Sequence, residues 1–173
     1  PIEQEGTYPL PEAQLDRFMF KVLIDYPTYE EELTIAETTT AGELPQIEAV
    51  LDRDGILDIQ RTVRKVLIAR SVTAYAVQLV RATRPNSEDA PDFVKKYLSW
   101  GAGPRACQAL LLGGKAHALL DGRVHVSTDD IRYVARPVLR HRLATSFRAE
   151  SDGVSADHIV EKLFHEVREP AGK

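Results

Sequence analysis

One short segment of this 173-residue chain has the pattern of a β-strand, and most of the chain after it has the pattern of helices. Phe18 to Leu23 (FMFKVL) is an apolar run with aromatic side chains, which is typical of a buried strand. One strand cannot satisfy its own backbone hydrogen-bonding groups, so we expect its partner strands in another part of a longer protein. The prediction is a helix–strand remnant of an α/β domain in residues 1–25, followed by a mainly α-helical bundle in residues 26–173.

Capping signals and apolar periodicity divide the remaining chain into helices. Predicted helix boundaries are, in chain order, Thr28, Asp52, Ser71, Pro104, Gly122 and Ser127. Thr28 and Ser127 each open a capping box, because an acidic residue three positions later can bond back to the cap. The strongest apolar stripe has helical spacing and comprises Val72, Tyr75, Ala76, Leu79 and Val80. We expect a polar linker between Ser87 and Gly103.

The composition argues against several classes of protein. Hydrophobic residues make up 43% of the chain and charged residues 28%, which are values of a folded globular protein. The net charge of −4 disfavours a nucleic-acid-binding protein, which usually carries a basic surface. No apolar run approaches the roughly 18 residues of a membrane-spanning helix. The single cysteine, Cys107, cannot form an internal disulfide, which suits a cytoplasmic protein.

The sequence contains no motif for phosphate binding or nucleophilic catalysis. GxxxxGK[ST], the pattern of a phosphate-binding loop, does not occur. The five histidines lack the spacing and the cysteine partners of metal ligands, so we predict no metal site. Because the chain begins at Pro1 and its only methionine is Met19, we expect a piece of a longer protein.

Two arginines are the best candidates for functional side chains. Arg17 lies where the first predicted helix meets the predicted strand, and a guanidinium on a rigid element can neutralise phosphate charge in a transition state. The alternative is an ordinary salt bridge to Asp16 or another nearby acid. Arg105 follows Gly101–Pro104 at a predicted helix N-terminus, where free amides favour anions. Its alternative is a solvated side chain.

A basic run from Arg136 to Arg142 is the best candidate for a nucleic-acid surface. Arg132, Arg136 and Arg140 share one helix face at i, i+4 spacing. The alternative has two parts: basic residues near a helix C-terminus complement the helix dipole, and acidic side chains of other helices can pair with them. Nucleic acid is therefore disfavoured as a partner.

Several stretches, in order along the chain, resemble the second half of MoxR-type AAA+ ATPases. They are PIEQEGTYPLPEAQLDRF, DYP, VRATR, GAGPRA, LLDGR, DDI and VLRHRL. The resemblance covers essentially the whole chain, and the first stretch is highly specific. It implies the end of an AAA+ α/β core followed by the AAA+ helical lid domain. In that family the sensor 1 asparagine directly precedes the Pro-Ile dipeptide, so we expect the chain to start just after it.

The resemblance assigns roles to three residues. Arg17 in LDRF matches the arginine finger, which acts on ATP held by the adjacent subunit of a ring. Arg105 in GPR matches the sensor 2 arginine of the lid, which contacts the γ-phosphate. Tyr26 in DYP resembles the core-to-lid hinge near the adenine and is a candidate nucleotide contact, with a packed aromatic as the alternative. The family more often has Ser where Gly103 stands. This departure can loosen the turn before the lid helix, but it leaves the arginine in place.

The resemblance also implies a function for the whole protein. It implies ATP binding and hydrolysis in a hexameric ring, with ATP and Mg²⁺ used by the full-length parent. It further implies chaperone-like maturation of protein complexes, alongside von Willebrand factor A-type partners. Without a phosphate-binding loop, this chain alone is expected to be inactive and to bind neither ATP nor Mg²⁺. The alternative is a non-enzymatic helical module that binds nucleic acid or a regulatory protein through Arg136–Arg142.

Overall fold

Helices make up most of the structure, a computed structural model that describes residues 10–42, 46–88 and 90–169. Within those ranges the helices are α1 (Glu12–Leu15), α2 (Tyr29–Thr40), α3 (Arg53–Lys65), α4 (Arg70–Ala82), α5 (Asp92–Tyr97), α6 (Pro104–Leu120), α7 (Thr128–Leu139), α8 (Phe147–Ser151) and α9 (Ala156–Glu166). The strands there are β1 (Leu67–Ile68), β2 (Leu98–Trp100), β3 (His125–Val126) and β4 (Ala144–Thr145). The predicted mainly α-helical class is confirmed.

Contacts between residues divide the chain into two units. The described residues of the first unit are 10–21 and those from Thr62 onward, and the second unit is Val22–Arg61. Residues 10–21 therefore pack with the helices rather than forming a unit of their own. The assignment of residues 1–25 to a core remnant and of 26–173 to a lid concerns their origin and stays a prediction.

The core of the first unit lies between α4, α6, α7 and α9. Helix α6 packs along α7 and against α4, and α9 packs on α7 and α4. The stripe predicted on α4 is buried as expected. The largest fully buried side chains of the described residues include Tyr75, Leu79, Leu110, Ile131, Leu139, Ile159 and Leu163. Each such burial contributes about 1.5–3 kcal/mol of transfer free energy, so this core holds the helices in place.

Most predicted helix boundaries are confirmed. The side-chain oxygens of Thr28 and Ser127 accept hydrogen bonds from the third residue of α2 and α7, and both capping boxes are complete. Pro104 is the first residue of α6. Gly122 has a φ of +71°, which glycine adopts without strain, and ends α6 in a Schellman motif with Arg123 N–H donating to the Ala118 carbonyl at 2.8 Å.

Two boundary predictions are wrong. Ser71 is not the cap of α4, because that helix starts at Arg70 and its N-cap residue is Ala69, which makes no side-chain capping bond. The polar linker expected between Ser87 and Gly103 contains α5 and β2. Strand β2 pairs antiparallel with β4, so Leu98 lies opposite Thr145, and this ladder is a long-range contact that local sequence cannot reveal.

The strand predicted over Phe18–Leu23 does not form. The described residues there are irregular, and their apolar side chains are largely exposed. In residues 18–21 the backbone bonds to the end of α7 instead of to a ladder, with the Lys21 N–H donating to the Pro137 carbonyl at 2.9 Å. Residues 18–21 therefore pack on the helical bundle instead of pairing in a sheet.

Candidate functional site

The turn that follows α1 carries Arg17 on the surface of the first unit. Helix α1 ends at Leu15, and the Arg17 N–H donates to the Gln14 carbonyl at 3.0 Å, which continues the turn. The Arg17 side chain is exposed, and among the described residues it has no hydrogen-bond or ion-pair partner. The salt bridge to Asp16, which was the alternative to a functional role, is not formed.

Asp16, the residue before Arg17, is shared between two other arginines. Its Oδ1 accepts from Arg142 Nε at 3.0 Å, and its Oδ2 accepts from Arg105 Nη1 at 3.2 Å. The Asp16 side chain is 29% exposed and that of Arg105 is 54% exposed. The structure thus connects the two predicted arginines indirectly, because Arg105 bonds the neighbour of Arg17.

Arg142 holds the backbone on both sides of Arg17. Its side chain is only 3% exposed. Nη2 donates to the Asp16 carbonyl at 2.9 Å and to the Phe18 carbonyl at 2.7 Å, and Nη1 donates to the Met19 carbonyl at 3.2 Å. Burial lowers the pKa of Arg142 while Asp16 counteracts this, and an arginine remains charged at physiological pH in such a setting.

His141 adds a further contact to the same segment. Its Nε2 lies 3.0 Å from the Phe18 carbonyl, and because a carbonyl only accepts, Nε2 carries the proton. Burial lowers the pKa of His141; the bond to Phe18 opposes this shift, and the charges of Arg142 and Lys21 reinforce it. The imidazole is therefore neutral near pH 7. A cleft of about 560 Å³ lies beside it, lined by Glu12, Leu15, Asp16, Trp100, His141 and Arg142 among others.

The loop before α6 fixes the position of Arg105. The Thr83 hydroxyl is buried and accepts from the Ala102 N–H at 2.9 Å, and Arg84 Nε donates to the Ala102 carbonyl at 3.0 Å. A side chain at Gly101 would collide with the Thr83 carbonyl and lie 2.7 Å from the Arg84 Cα. Only glycine allows the loop to approach the end of α4 this closely. This approach fixes where α6 begins, and therefore the position of Arg105, its second residue.

Gly103 is the N-cap of α6, and its geometry does not require glycine. Its φ of −85° and ψ of −178° are ordinary extended values, and a Cβ there would meet nothing within 4 Å. With glycine, α6 has no side-chain cap. Glycine at this position therefore leaves α6 without the side-chain capping bond that a serine, the residue expected from the resemblance, could make.

Tyr26, the third candidate, belongs to the second unit. Its side chain is largely exposed, and its backbone N–H donates to Asp25 Oδ1 at 2.8 Å. It borders an open cleft together with Asp25, Glu30 and Glu31. Three carboxylates repel phosphate, so any nucleotide contact made by Tyr26 would involve a base rather than a phosphate.

The basic face of α7 is paired with acids, as the non-functional alternative expected. Arg136 pairs with Glu161, and Arg140 Nη2 lies 3.0 Å from Asp157 Oδ2; both acids are on α9. Arg132 pairs with Glu169 at 2.7 Å. The arginines therefore contribute to the attachment of α9 to α7 rather than forming an open basic surface.

One cluster of the described residues has donor atoms close enough for a cation: His117, Asp121 and Asp130. Asp130 is fully buried, and its carboxylate accepts from Arg123 Nη1 at 2.8 Å and from the Ser127 N–H at 2.7 Å. Burial alone would raise the pKa of Asp130, but the bonds from Arg123, Ser127 and His117 together lower it well below its usual range. Because the Arg123 cation already neutralises the carboxylate, this donor set does not fit a metal ion.

Sequence reasoning missed the two residues that organise the site. Asp16 was considered only as a partner for Arg17, and Arg142 only as part of a basic run. Their pairing joins positions that are 126 residues apart, so neither periodicity nor spacing could indicate it.

Comparisons with known proteins agree with this architecture. Residues 91–163, from the start of α5 into α9, match the family model of the AAA lid domain. The chain is 36% identical over 171 residues to the uncharacterized protein YeaC of Bacillus subtilis, and 35% identical over 170 residues to chaperone MoxR1 of Mycobacterium tuberculosis. Each alignment covers 98% of this chain, but only 51% of YeaC and 45% of MoxR1.

A solved structure extends the likeness to three dimensions. The crystal structure of a candidate ATPase from Cytophaga hutchinsonii superposes with a TM-score of 0.91 at 36% identity, over 98% of this chain and 52% of that one. The family match and this superposition together identify the chain as a protein with an AAA lid domain. Within that class, the chain belongs to the MoxR family. It spans about half the length of the curated relatives it matches. None of the helices in the described ranges is long and apolar enough to cross a membrane.

Proposed function

We propose that this chain is part of a MoxR-type ATPase, a protein that hydrolyses ATP in an oligomeric ring and remodels or matures protein complexes. The proposal is supported by membership of the MoxR family and by the word chaperone in the name of the relative MoxR1. The observation that carries it is the exposed guanidinium of Arg17, which has no partner among the described residues and lies on a turn whose backbone is anchored on both sides.

In this proposal Arg17 is the arginine finger. Phosphoryl transfer builds negative charge on the transferred group, and a cation supplied by a neighbouring subunit stabilises that charge. Such a side chain has to extend beyond its own subunit, and acidic residues of that subunit must not neutralise its charge. Within the described part of the chain Arg17 meets both requirements, because it is exposed and the neighbouring Asp16 is engaged by Arg105 and Arg142.

Arg105 is proposed as the sensor 2 arginine, which contacts the γ-phosphate. It is half-exposed, and its only described side-chain partner is the carboxylate of Asp16. One exposed ion pair of this kind contributes little free energy, so a phosphate can replace the carboxylate. Tyr26 is proposed as a further nucleotide contact, through the base.

The remaining assignments concern the whole protein. ATP and Mg²⁺ belong to the full-length parent, because this chain has no GxxxxGK[ST] motif and its His117–Asp121–Asp130 cluster does not fit a cation. We propose that the parent forms a hexameric ring in the cytoplasm and works with von Willebrand factor A-type partners. We also propose that this chain alone does not hydrolyse ATP.

The test is ATP turnover by the full-length protein and its Arg17→Ala variant. Loss of an arginine finger is expected to lower turnover about 1,000-fold or more, because charge stabilisation is lost only in the transition state. Binding of a fluorescent ATP analogue is expected to change little. Phosphate release and fluorescence anisotropy measure the two quantities.

Arg53→Ala is the matched control, since Arg53 is another exposed arginine but lies in the second unit. It is expected to keep full turnover. Normal turnover in Arg17→Ala would contradict the finger assignment, and absence of turnover in the parent would contradict the function. Arg105→Ala is expected to impair nucleotide binding, hydrolysis or both, and an unaffected variant would contradict the sensor assignment.

A further inference from the structure

We infer that Asp16 and Arg142 are positioning residues: they fix the turn that carries Arg17 and couple it to the state of Arg105. This inference rests on the proposed function. Neither residue is expected to touch the nucleotide. Both act on the side chains that do.

The first observation is that the Arg17 turn has little regular structure of its own. Helix α1 has only four residues and no buried side chain, and the residues after it form no ladder. Apart from the turn bonds of α1, the hydrogen bonds of residues 16–21 within the described ranges come from α6 and from the end of α7. An arginine finger needs its guanidinium in place before the reaction, so this anchoring has to come from elsewhere.

The second observation is that one buried guanidinium provides most of this anchoring. Arg142 bonds the carbonyls of Asp16, Phe18 and Met19 and also the Asp16 carboxylate. Its planar fork reaches residues on both sides of Arg17 at once, which the single ammonium of a lysine cannot do. A fifth bond, to the Val138 carbonyl, holds the guanidinium against the last turn of α7.

The third observation is that Asp16 has one oxygen for each arginine. Oδ1 remains with the buried Arg142, while Oδ2 holds the half-exposed Arg105 at 3.2 Å. When Arg105 moves to a phosphate, Asp16 loses this partner and keeps the other. The charge next to Arg17 therefore depends on whether Arg105 is engaged, which couples the two proposed phosphate-binding arginines through a single carboxylate.

The anchoring is tested by hydrogen–deuterium exchange of the backbone amides of residues 16–21 in the full-length protein. Arg142→Met is expected to speed exchange there, because the carbonyls lose their shared donor. Arg136→Met is the matched control, since Arg136 lies on α7, six residues before Arg142, but pairs with Glu161. Unchanged exchange in Arg142→Met would overturn the inference.

The effect on the reaction is tested by separating kcat from KM for ATP. Arg142→Met and Asp16→Asn are each expected to lower kcat by about 10- to 100-fold, as misplacement of a catalytic group does. KM is expected to stay the same or fall in Asp16→Asn, because Arg105 no longer has to leave a carboxylate. Arg142→Lys is expected to restore turnover only in part. Glu12→Gln, an exposed acid of α1, is the control for Asp16→Asn.

A double-mutant cycle tests the coupling. If Asp16 acts partly through Arg105, the effects of Asp16→Asn and Arg105→Ala on kcat will not add. Additive effects, or unchanged kcat in Asp16→Asn, would overturn the inference. The arginine-finger assignment would be unaffected, because the Arg17→Ala variant tests it separately. If Arg142→Met does not fold, Asp16→Asn carries both measurements. If the parent does not hydrolyse ATP, the proposed function fails, and the exchange experiment still decides whether the anchoring exists.

Discussion

At the scale of single residues, Asp130 shows how one buried carboxylate can join several elements. It closes the capping box of α7 with Ser127, receives two bonds from Arg123 beyond the end of α6, and contacts His117 on α6. The Asp130 carboxylate thus provides a hydrogen-bond acceptor for each of these partners. The sequence predicted the capping box, because that pattern is local, but it could not predict Arg123 or His117 as partners.

Replacing Asp130 with asparagine is expected to destabilise the chain by about 2 kcal/mol. This is below the usual cost of breaking a buried pair, because Arg123 is partly exposed and can regain water. Urea unfolding followed by circular dichroism measures the difference. Asp129→Asn is the matched control, since Asp129 is exposed in the same turn, and it is expected to change stability by less than about 0.5 kcal/mol.

Asp130 also predicts a pH dependence with a definite sign. Its pKa is lowered in the folded state, so its stabilising contribution is complete above the unfolded pKa of about 4. The contribution is lost as the pH falls from about 4 toward the lower folded value. Wild type is therefore expected to lose stability more steeply than Asp130→Asn over this window. Parallel pH profiles for the two proteins would contradict the assignment.

At the scale of elements, the loop that leads into α6 contains two glycines with different roles. Gly101 is required by the close approach to Thr83, whereas Gly103 occupies an ordinary N-cap. The sequence placed both at the end of the predicted polar linker. The distinction depends on what lies across from each Cα, which only the packed structure defines.

Gly103→Ser is expected to stabilise the chain by about 0.5 kcal/mol, since serine caps the helix and restricts the unfolded chain. Gly101→Ala, the matched change two residues earlier, is expected to cost about 2 kcal/mol or more because its Cβ collides with the backbone of Thr83 and Arg84, just after α4. Thermal unfolding of both variants measures this contrast. Equal effects would show that the loop does not approach α4 as described.

At the scale of the whole molecule, the pairing of α7 with α9 removes the basic surface that the sequence suggested. Arg132, Arg136 and Arg140 each have an acidic partner. We therefore expect no appreciable binding to DNA at physiological salt, with a dissociation constant weaker than about 100 μM. Fluorescence anisotropy with a labelled duplex measures it.

A variant carrying Asp157→Asn and Glu161→Gln provides the comparison for that experiment. It leaves the arginines in place and removes the acidic partners of Arg136 and Arg140, so weak binding at low salt is expected to appear. Salt-dependent binding by the wild type that disappears with Arg136→Gln and Arg140→Gln would contradict this view. It would then support the nucleic-acid module that the sequence left as an alternative.

The sequence by itself determined the helical class, most helix boundaries and the candidate arginines. Caps, apolar stripes and motifs are patterns within a few residues of one another, so they can be read locally. Thr28, Pro104 and Ser127 were placed correctly for this reason.

Only the tertiary structure decided which groups those residues contact. The apolar run at Phe18–Leu23 looked like a strand, but the bonds available to residues 18–21 come from the end of α7, more than 100 positions away. Arg142 looked like part of a solvated basic run, yet it is buried against the Arg17 turn. Such contacts depend on how distant segments pack, and a buried charge is stable only where its particular partner lies.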